Sequence, residues 1–190
     1  MKPLDYPKMM FSFHTGWDEL RGIHPSIVKV SAGLVLPLSL VSALMIAAAG
    51  YLHGNYYEPG LSLQRWYDVA GLFFLAELAT VPLMAWAIHL IAKDKGHPIQ
   101  FHDSYLLAAV TPIPLWLSAL SLLVPNLQFN GTIGLLGLIA SGSLLYHGVS
   151  AILGIEETLD AQDVTYKVFA IGAIAWGLLV ALLVMPTMGV

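Results

Sequence analysis

The stretch from Leu106 to Pro125, LLAAVTPIPLWLSALSLLVP, decides how this chain is read. It is nearly all apolar and reads as a buried helix, yet it carries Pro112 and Pro114 near its middle. Each proline removes a backbone donor and crowds the carbonyl four residues earlier. In an ordinary helix interior that costs about 3 kcal/mol or more per site. Two such costs side by side, in a segment that water cannot reach, call for neighbours that satisfy what the rings disrupt.

Composition says what the surroundings of that stretch are. The chain has 190 residues, 57% of them hydrophobic and only 11% charged, and a mean hydropathy of +0.75. A soluble domain carries about 25% charged residues, so this chain lacks the charge to cover its own surface. Its apolar residues fall in blocks near the roughly 20 residues needed to cross a bilayer. A soluble all-helical protein would need wide polar helix faces, which these blocks do not have. The net charge of −4 carries little information, because the charges are few and sit in loops. With no cysteine, disulfides, thiol catalysis and Cys-ligated zinc are excluded. The opening MKPLDYPKMMFSFHTGWDEL contains Asp5, Asp18 and Glu19 and no long apolar core, unlike a cleavable signal peptide.

Hydropathy predicts an all-α membrane protein with five spans, at about 27–52, 68–92, 104–124, 132–153 and 165–186. Residues 1–26 form an N-terminal segment and 27–190 the transmembrane domain. Asp103 is expected to cap the third span, and Asn130-Gly131 to form the turn before the fourth. Lys2, Lys8, Arg21, Lys29, Lys93, Lys95 and Lys167 fall on one side and only Arg65 on the other, a split of seven to one. The positive-inside rule then places the N-terminus in the cytoplasm and the C-terminus outside. Met10, Phe13, Trp17 and Leu20 recur at helical steps with Asp18, Glu19 and Arg21 between them. That pattern is an amphipathic helix lying in the interface or docked on the cytoplasmic ends of the bundle. The outer loop HGNYYEPGLSLQRWYD is rich in Tyr and Trp, which suits the headgroup level.

Pro37, Pro82, Pro112 and Pro114 are the candidate kinks or hinges, with Thr111 placed to bond a freed carbonyl. Span three is expected to be kinked or partly unwound and shielded from lipid, either as a cavity wall or as a fixed bend. Ser39, Ala43 and Ala47, then Gly137 and Ser141, then Ala173, Gly177 and Ala181 form small-residue stripes where backbones approach closely. They serve as packing seams within the bundle or between copies of the chain.

Polar residues inside the spans are few. Glu77 lies near the middle of span two with Thr80 one turn on. An ionisable group at that depth is a functional candidate by default. Thr111, Ser118 and Ser121 on span three, with Ser143, His147 and Ser150 on span four, complete a conceivable polar path. The plainer reading is a protonated Glu77 bonded to a hydroxyl or to a carbonyl freed by a proline. His89 and His147 with Glu156 or Glu157 are the weak candidates for a divalent metal, since no HxxxH pair shares a helix face. EETLD at 156–160 lacks the arginine that intramembrane CAAX-type proteases require, and no phosphate loop, GxSxG or basic nucleic-acid patch occurs.

The LLAAVTPIPLWLSALSLLVP stretch, SLLYHGVSAILGI, FAIGAIAWGLLVALLV and the link IAKDKGHPIQFHDS together resemble the Yip (Ypt/Rab-interacting protein) family in its short bacterial branch. The resemblance covers roughly 70–185 and, more loosely, the Trp17 segment. It implies a five-span membrane protein without known catalytic activity, and it supplies no catalytic residues. Eukaryotic members are linked to Rab GTPases and vesicle traffic and carry a longer polar N-terminal region, so Rab binding is not expected to carry over. The reading is therefore a non-enzymatic protein of a bacterial inner membrane. It would act through membrane lipids or a protein partner at the cytoplasmic face, with self-association as a further use of the stripes. No cofactor is expected beyond the weak metal candidate. The rivals are a small transporter or channel with Glu77 on its pathway and, more weakly, a metal-dependent membrane enzyme.

Overall fold

A computed structural model of the chain describes residues 9–11, 16–97, 99–155 and 159–187. A short helix, Trp17–Ile23, precedes the bundle. Five membrane-length helices follow: Ile27–Tyr57, Leu63–Asp94, Phe101–Leu123, Leu127–Leu153 and Leu159–Thr187, here spans one to five. No strand occurs among the described residues. Closed backbone hydrogen bonding is what hydrocarbon demands of any segment that crosses it, and the helix provides it without help from neighbours.

Local chemistry sets where these helices begin. Ser26, Ser62 and Asn126 are N-caps, each accepting from the backbone N–H three residues on. The Asn126 cap corrects the expectation of a turn at Asn130-Gly131. Those two residues lie inside span four, and Asn130 Nδ2 donates to Tyr57 Oη at 2.9 Å. Asp103 likewise is not a cap. Span three starts at Phe101 after Gln100, and Asp103 falls in its first turn, where a negative charge suits the positive end of the helix dipole. Gly154 ends span four at φ +67°, a left-handed position that favours glycine.

The proline pair is accommodated by breaking the helix and starting it again. The first half of span three ends at Val110, Pro112 takes the cap position, and the second half runs from Ile113 to Ser118. Pro114 thus stands in a first turn, where an N–H would have no helical partner anyway. Trp116 N–H to the Pro112 carbonyl, 3.0 Å, opens the new helix, which tightens into a 3₁₀ turn from Ala119 to Leu123. Thr111 does not serve a freed carbonyl as expected. Its hydroxyl donates to Leu107 O at 2.8 Å, whereas the carbonyls four residues before the two prolines belong to Ala108 and Val110. Pro37 and Pro186 are handled differently. Each follows a π-turn, Ser31–Val35 and Val180–Val184, that contains the carbonyl its ring would crowd. Pro82 stands on the outward face of an unbroken helix.

Span three is the centre of the bundle. It packs on spans one, two and four, and span five closes over spans two and four. Its first half is buried from Ser104 to Val110 without interruption, whereas the second half exposes Leu117, Leu120 and Leu123, so the expected shielding from lipid holds for the first half alone. Gly137 of span four makes this possible further along: a Cβ there would lie 3.0 Å from Pro114 O. The Ser39–Ala43 and Gly137–Ser141 stripes are seams, with all four residues buried. The stripe on span five is not a seam within the chain, since Gly177 has nothing within 4 Å of a built Cβ and Ala181 is exposed.

The N-terminal helix docks on this framework through Trp17, which is fully buried and donates from Nε1 to Met9 O at 3.0 Å. Its ring fits over Gly148, where a Cβ would stand 2.7 Å from the ring edge and 2.5 Å from Leu107. Phe13, the other large apolar residue of the predicted face, lies outside the described residues. At the opposite end Trp66 leaves the aromatic-rich loop and is fully buried over Gly50. Tyr51, Tyr56 and Tyr67 of the same region remain exposed.

Candidate functional site

The break in span three leaves room beside it, and Glu77 of span two occupies that room. Its side chain is 8% exposed. Ser42 of span one and the Trp116 indole of span three are its polar neighbours. The approach of Ser42 stops short of hydrogen-bond geometry: Glu77 Oε2 and Ser42 Oγ both lack a partner. A buried polar atom left without a partner costs about 1–3 kcal/mol. Ser39 and Ser141 add two more unpartnered hydroxyls in the seams nearby.

Two clefts meet at this carboxylate. The first, about 110 Å³, lies between spans two, three, four and five. Its walls include Met84, Leu138, Leu145 and Phe169, with Thr80, Thr111 and Ser141 as the other polar residues. The second, about 380 Å³, opens toward the other end of the bundle past Ser42, Phe73, Ser118, Asn130 and Gly134. Glu77, Leu115 and Trp176 line both clefts and form the waist between them. Apolar walls around a few convergent polar groups are the general form of a small-molecule site.

Of the residues singled out in the sequence, Glu77, Thr80, Thr111 and Ser118 gather at these clefts. The three hydroxyls are each bonded to a carbonyl of their own helix, Thr80 to Ala76, Thr111 to Leu107 and Ser118 to Leu115. They line the clefts without forming a hydrogen-bonded relay. Ser143 and His147 line neither cleft. Ser143 donates to the Met10 carbonyl and so holds the N-terminal segment, and His147 Nδ1 donates to Ser143 O at 2.8 Å. Of the metal candidates, His89 packs its ring at 6.0 Å from Phe101 and has an unpartnered Nδ1. Glu156 and Glu157 lie outside the described residues. Among the described residues, neither His89 nor His147 falls within a group of ligating atoms.

Trp176, Leu115 and Ser42 are the parts of the site that reading the sequence passed over. Trp176 is a lone indole in an otherwise aliphatic run of span five, and that oddity was its only local signal.

The comparisons with known proteins bear on the whole of this architecture. The model of the Yip1 domain matches residues 9–185, taking in the N-terminal helix, all five spans and every residue of the two clefts. No curated protein and no solved structure matches the chain. The protein is an integral membrane protein of five helical spans that belongs to the Yip1-domain family.

Proposed function

We propose that this protein is a non-enzymatic binder of membrane lipid, holding an amphiphile inside its bundle. The observation that carries the reading is Glu77: a buried carboxylate with an unpartnered oxygen, placed where two mainly apolar clefts converge. Hydrocarbon of a lipid chain suits the walls around Met84, Leu138 and Phe169. A hydroxyl or amine on the same molecule supplies the donor that Glu77 Oε2 lacks, which offsets the cost of burying it. The seven-to-one division of Lys and Arg supports a cytoplasmic N-terminus. On that orientation, in a bacterial inner membrane, the exposed face of the N-terminal helix, with Asp18, Glu19 and Arg21, is where a protein partner would meet it.

The test is native mass spectrometry of the protein released from nanodiscs of defined lipid, with extraction and identification of what stays bound. Wild type is expected to retain one lipid per chain. Gly172→Leu fills the first cleft, where a Cβ meets only the flexible end of Met84 at 3.4 Å, and should abolish retention. Glu77→Gln should weaken it. Equal retention in all three proteins rejects the reading.

A transport reading draws on the position of Glu77 and not on its unpartnered oxygen: the residue lines both clefts and so stands between the two ends of the bundle. Flux into proteoliposomes decides it. Leak that is equal for wild type and Glu77→Ala removes transport and leaves lipid binding standing.

A further inference from the structure

The link between the N-terminal helix and span one passes close to the start of span three. There His24, His102 and Asp103 come together although the first two are 78 positions apart. One nitrogen from each imidazole and one oxygen of Asp103 lie within 4.8 Å of one another. The rings of His24 and His102 stand 6.2 Å apart between centroids. We propose that these three side chains form a site for a divalent transition metal, zinc by preference, that fastens the N-terminal helix to the bundle.

The orientation of His102 is the first reason. Its Nε2 lies 2.7 Å from the Pro25 carbonyl, which can only accept, so Nε2 carries the proton of that bond. In the neutral ring Nδ1 is then a lone pair, and it faces Asp103 Oδ1 at 3.4 Å. A proton on Nδ1 or a cation between the two atoms satisfies that approach, and the His24 nitrogen close by favours a cation that three donors share. Around a tetrahedral zinc ion with bonds of about 2.0–2.1 Å, two ligand atoms stand about 3.3–3.4 Å apart. A histidine that gives its other N–H to a backbone carbonyl is the usual arrangement of a zinc-binding imidazole.

His24 is the second reason. It is the one non-glycine residue with positive φ among those described, at φ 41° and ψ 58°. It is the residue that ends the N-terminal helix, a position that often turns left-handed. Here that conformation turns the ring of an exposed linker residue toward His102. The platform beneath is fixed: the Ser31 and Tyr105 hydroxyls meet at 2.6 Å one turn further in. Two imidazoles and a carboxylate match the donors that zinc takes, and they leave a fourth position for water. The set contains none of the residues around Glu77, so it stands whatever occupies the clefts.

The experiment uses full-length protein carrying an affinity tag free of histidine, stripped with a chelator and titrated with Zn²⁺ alone. Wild type is expected to bind one Zn²⁺ per chain by elemental analysis after dialysis, and its unfolding midpoint should rise with the metal. His24→Ala should weaken binding by more than about tenfold with only a small drop in the metal-free midpoint, because its side chain is exposed and only the left-handed backbone suits alanine less. His102→Gln keeps a donor for Pro25 O and should lose the metal, as should Asp103→Asn. His89→Gln should bind as wild type. A wild type that binds no more Zn²⁺ than His24→Ala shows that His24 is not a ligand, and it overturns the proposal. Loss in His89→Gln with full binding in His24→Ala overturns it equally.

Discussion

Four of the tryptophans divide the molecule into two kinds of region. Trp17 and Trp66 sit at opposite ends of the bundle, both fully buried, and each lies over a glycine with no room to spare. A Cβ on Gly50 would stand 2.1 Å from Trp66 Cγ, and one on Gly148 would stand 2.7 Å from the Trp17 ring. Trp116 and Trp176 are in the middle, beside the clefts. The glycine opposite Trp176 is Gly134, where a Cβ would meet the ring at 3.5 Å, ordinary contact distance. Around Trp17 and Trp66 there is no room for a methyl group, while the surroundings of Trp176 keep space beside an unpartnered carboxylate oxygen. The close contacts of Trp17 and Trp66 draw on nothing at the clefts, which leaves the clefts free to take an occupant.

The sharpest way to break this contrast is Trp17→Ala. Truncating a fully buried tryptophan costs ~3–5 kcal/mol. The N-terminal helix should then become open to protease, together with a large drop in the unfolding midpoint. A midpoint unchanged from wild type would mean that Trp17 locks nothing. Next in size is the glycine pair. Gly50→Ala forces the fully buried Trp66 to move, an overpacking cost of roughly 1–3 kcal/mol. Gly134→Ala should stay within about 0.5 kcal/mol of wild type or gain slightly from the better helix propensity of alanine. Equal losses in the two variants would erase the distinction between end and middle.

The smallest effect is expected at the surface. Lys95 lies 2.8 Å from Asp163 and 3.4 Å from Asp160, joining the end of span two to the start of span five. The hydrogen bond to Asp163, then that to Asp160, raises Lys95 above its ordinary value of 10.5. A cation whose pKa is raised by folding contributes fully below its unfolded value, and the contribution fades as pH rises through the higher folded value. The difference in midpoint between wild type and Lys95→Met should therefore exist near neutral pH and vanish in strong alkali. It should stay under about 2 °C, because the pair is exposed and screened, and shrink further in 1 M salt. A difference that grows toward high pH would contradict the sign.

Much of the architecture was readable residue by residue. All five spans lie where the hydropathy puts them, because hydrocarbon acts on each segment separately. Most of their ends were read short. Tyr57, Leu63 and Leu127 belong to helices, since interface residues extend a span without adding to its apolar run. The break at Pro112 was readable because a missing N–H is a local fact. That Pro114 carries no cost was not readable, because it depends on where the second half-helix begins. Glu77 stood out by its depth alone. Ser143 and His147 looked equivalent to Thr111 and Ser118 along the chain, yet Ser143 holds the N-terminal segment, His147 turns back onto Ser143 O, and the clefts take the second pair.

By itself, then, the sequence determined the solvent, the number of crossings, the places where helix geometry must yield and the one carboxylate that has to be explained. Those are consequences of side-chain hydropathy and of single backbone donors, and neither needs a partner to take effect. Only the tertiary structure decided which faces meet: that tryptophans close the ends over glycine, that Trp176 and Leu115 stand with Glu77 at a waist, and that His24 reaches His102. Each of these joins residues far apart in the chain, and the juxtaposition exists only once whole helices have packed against one another.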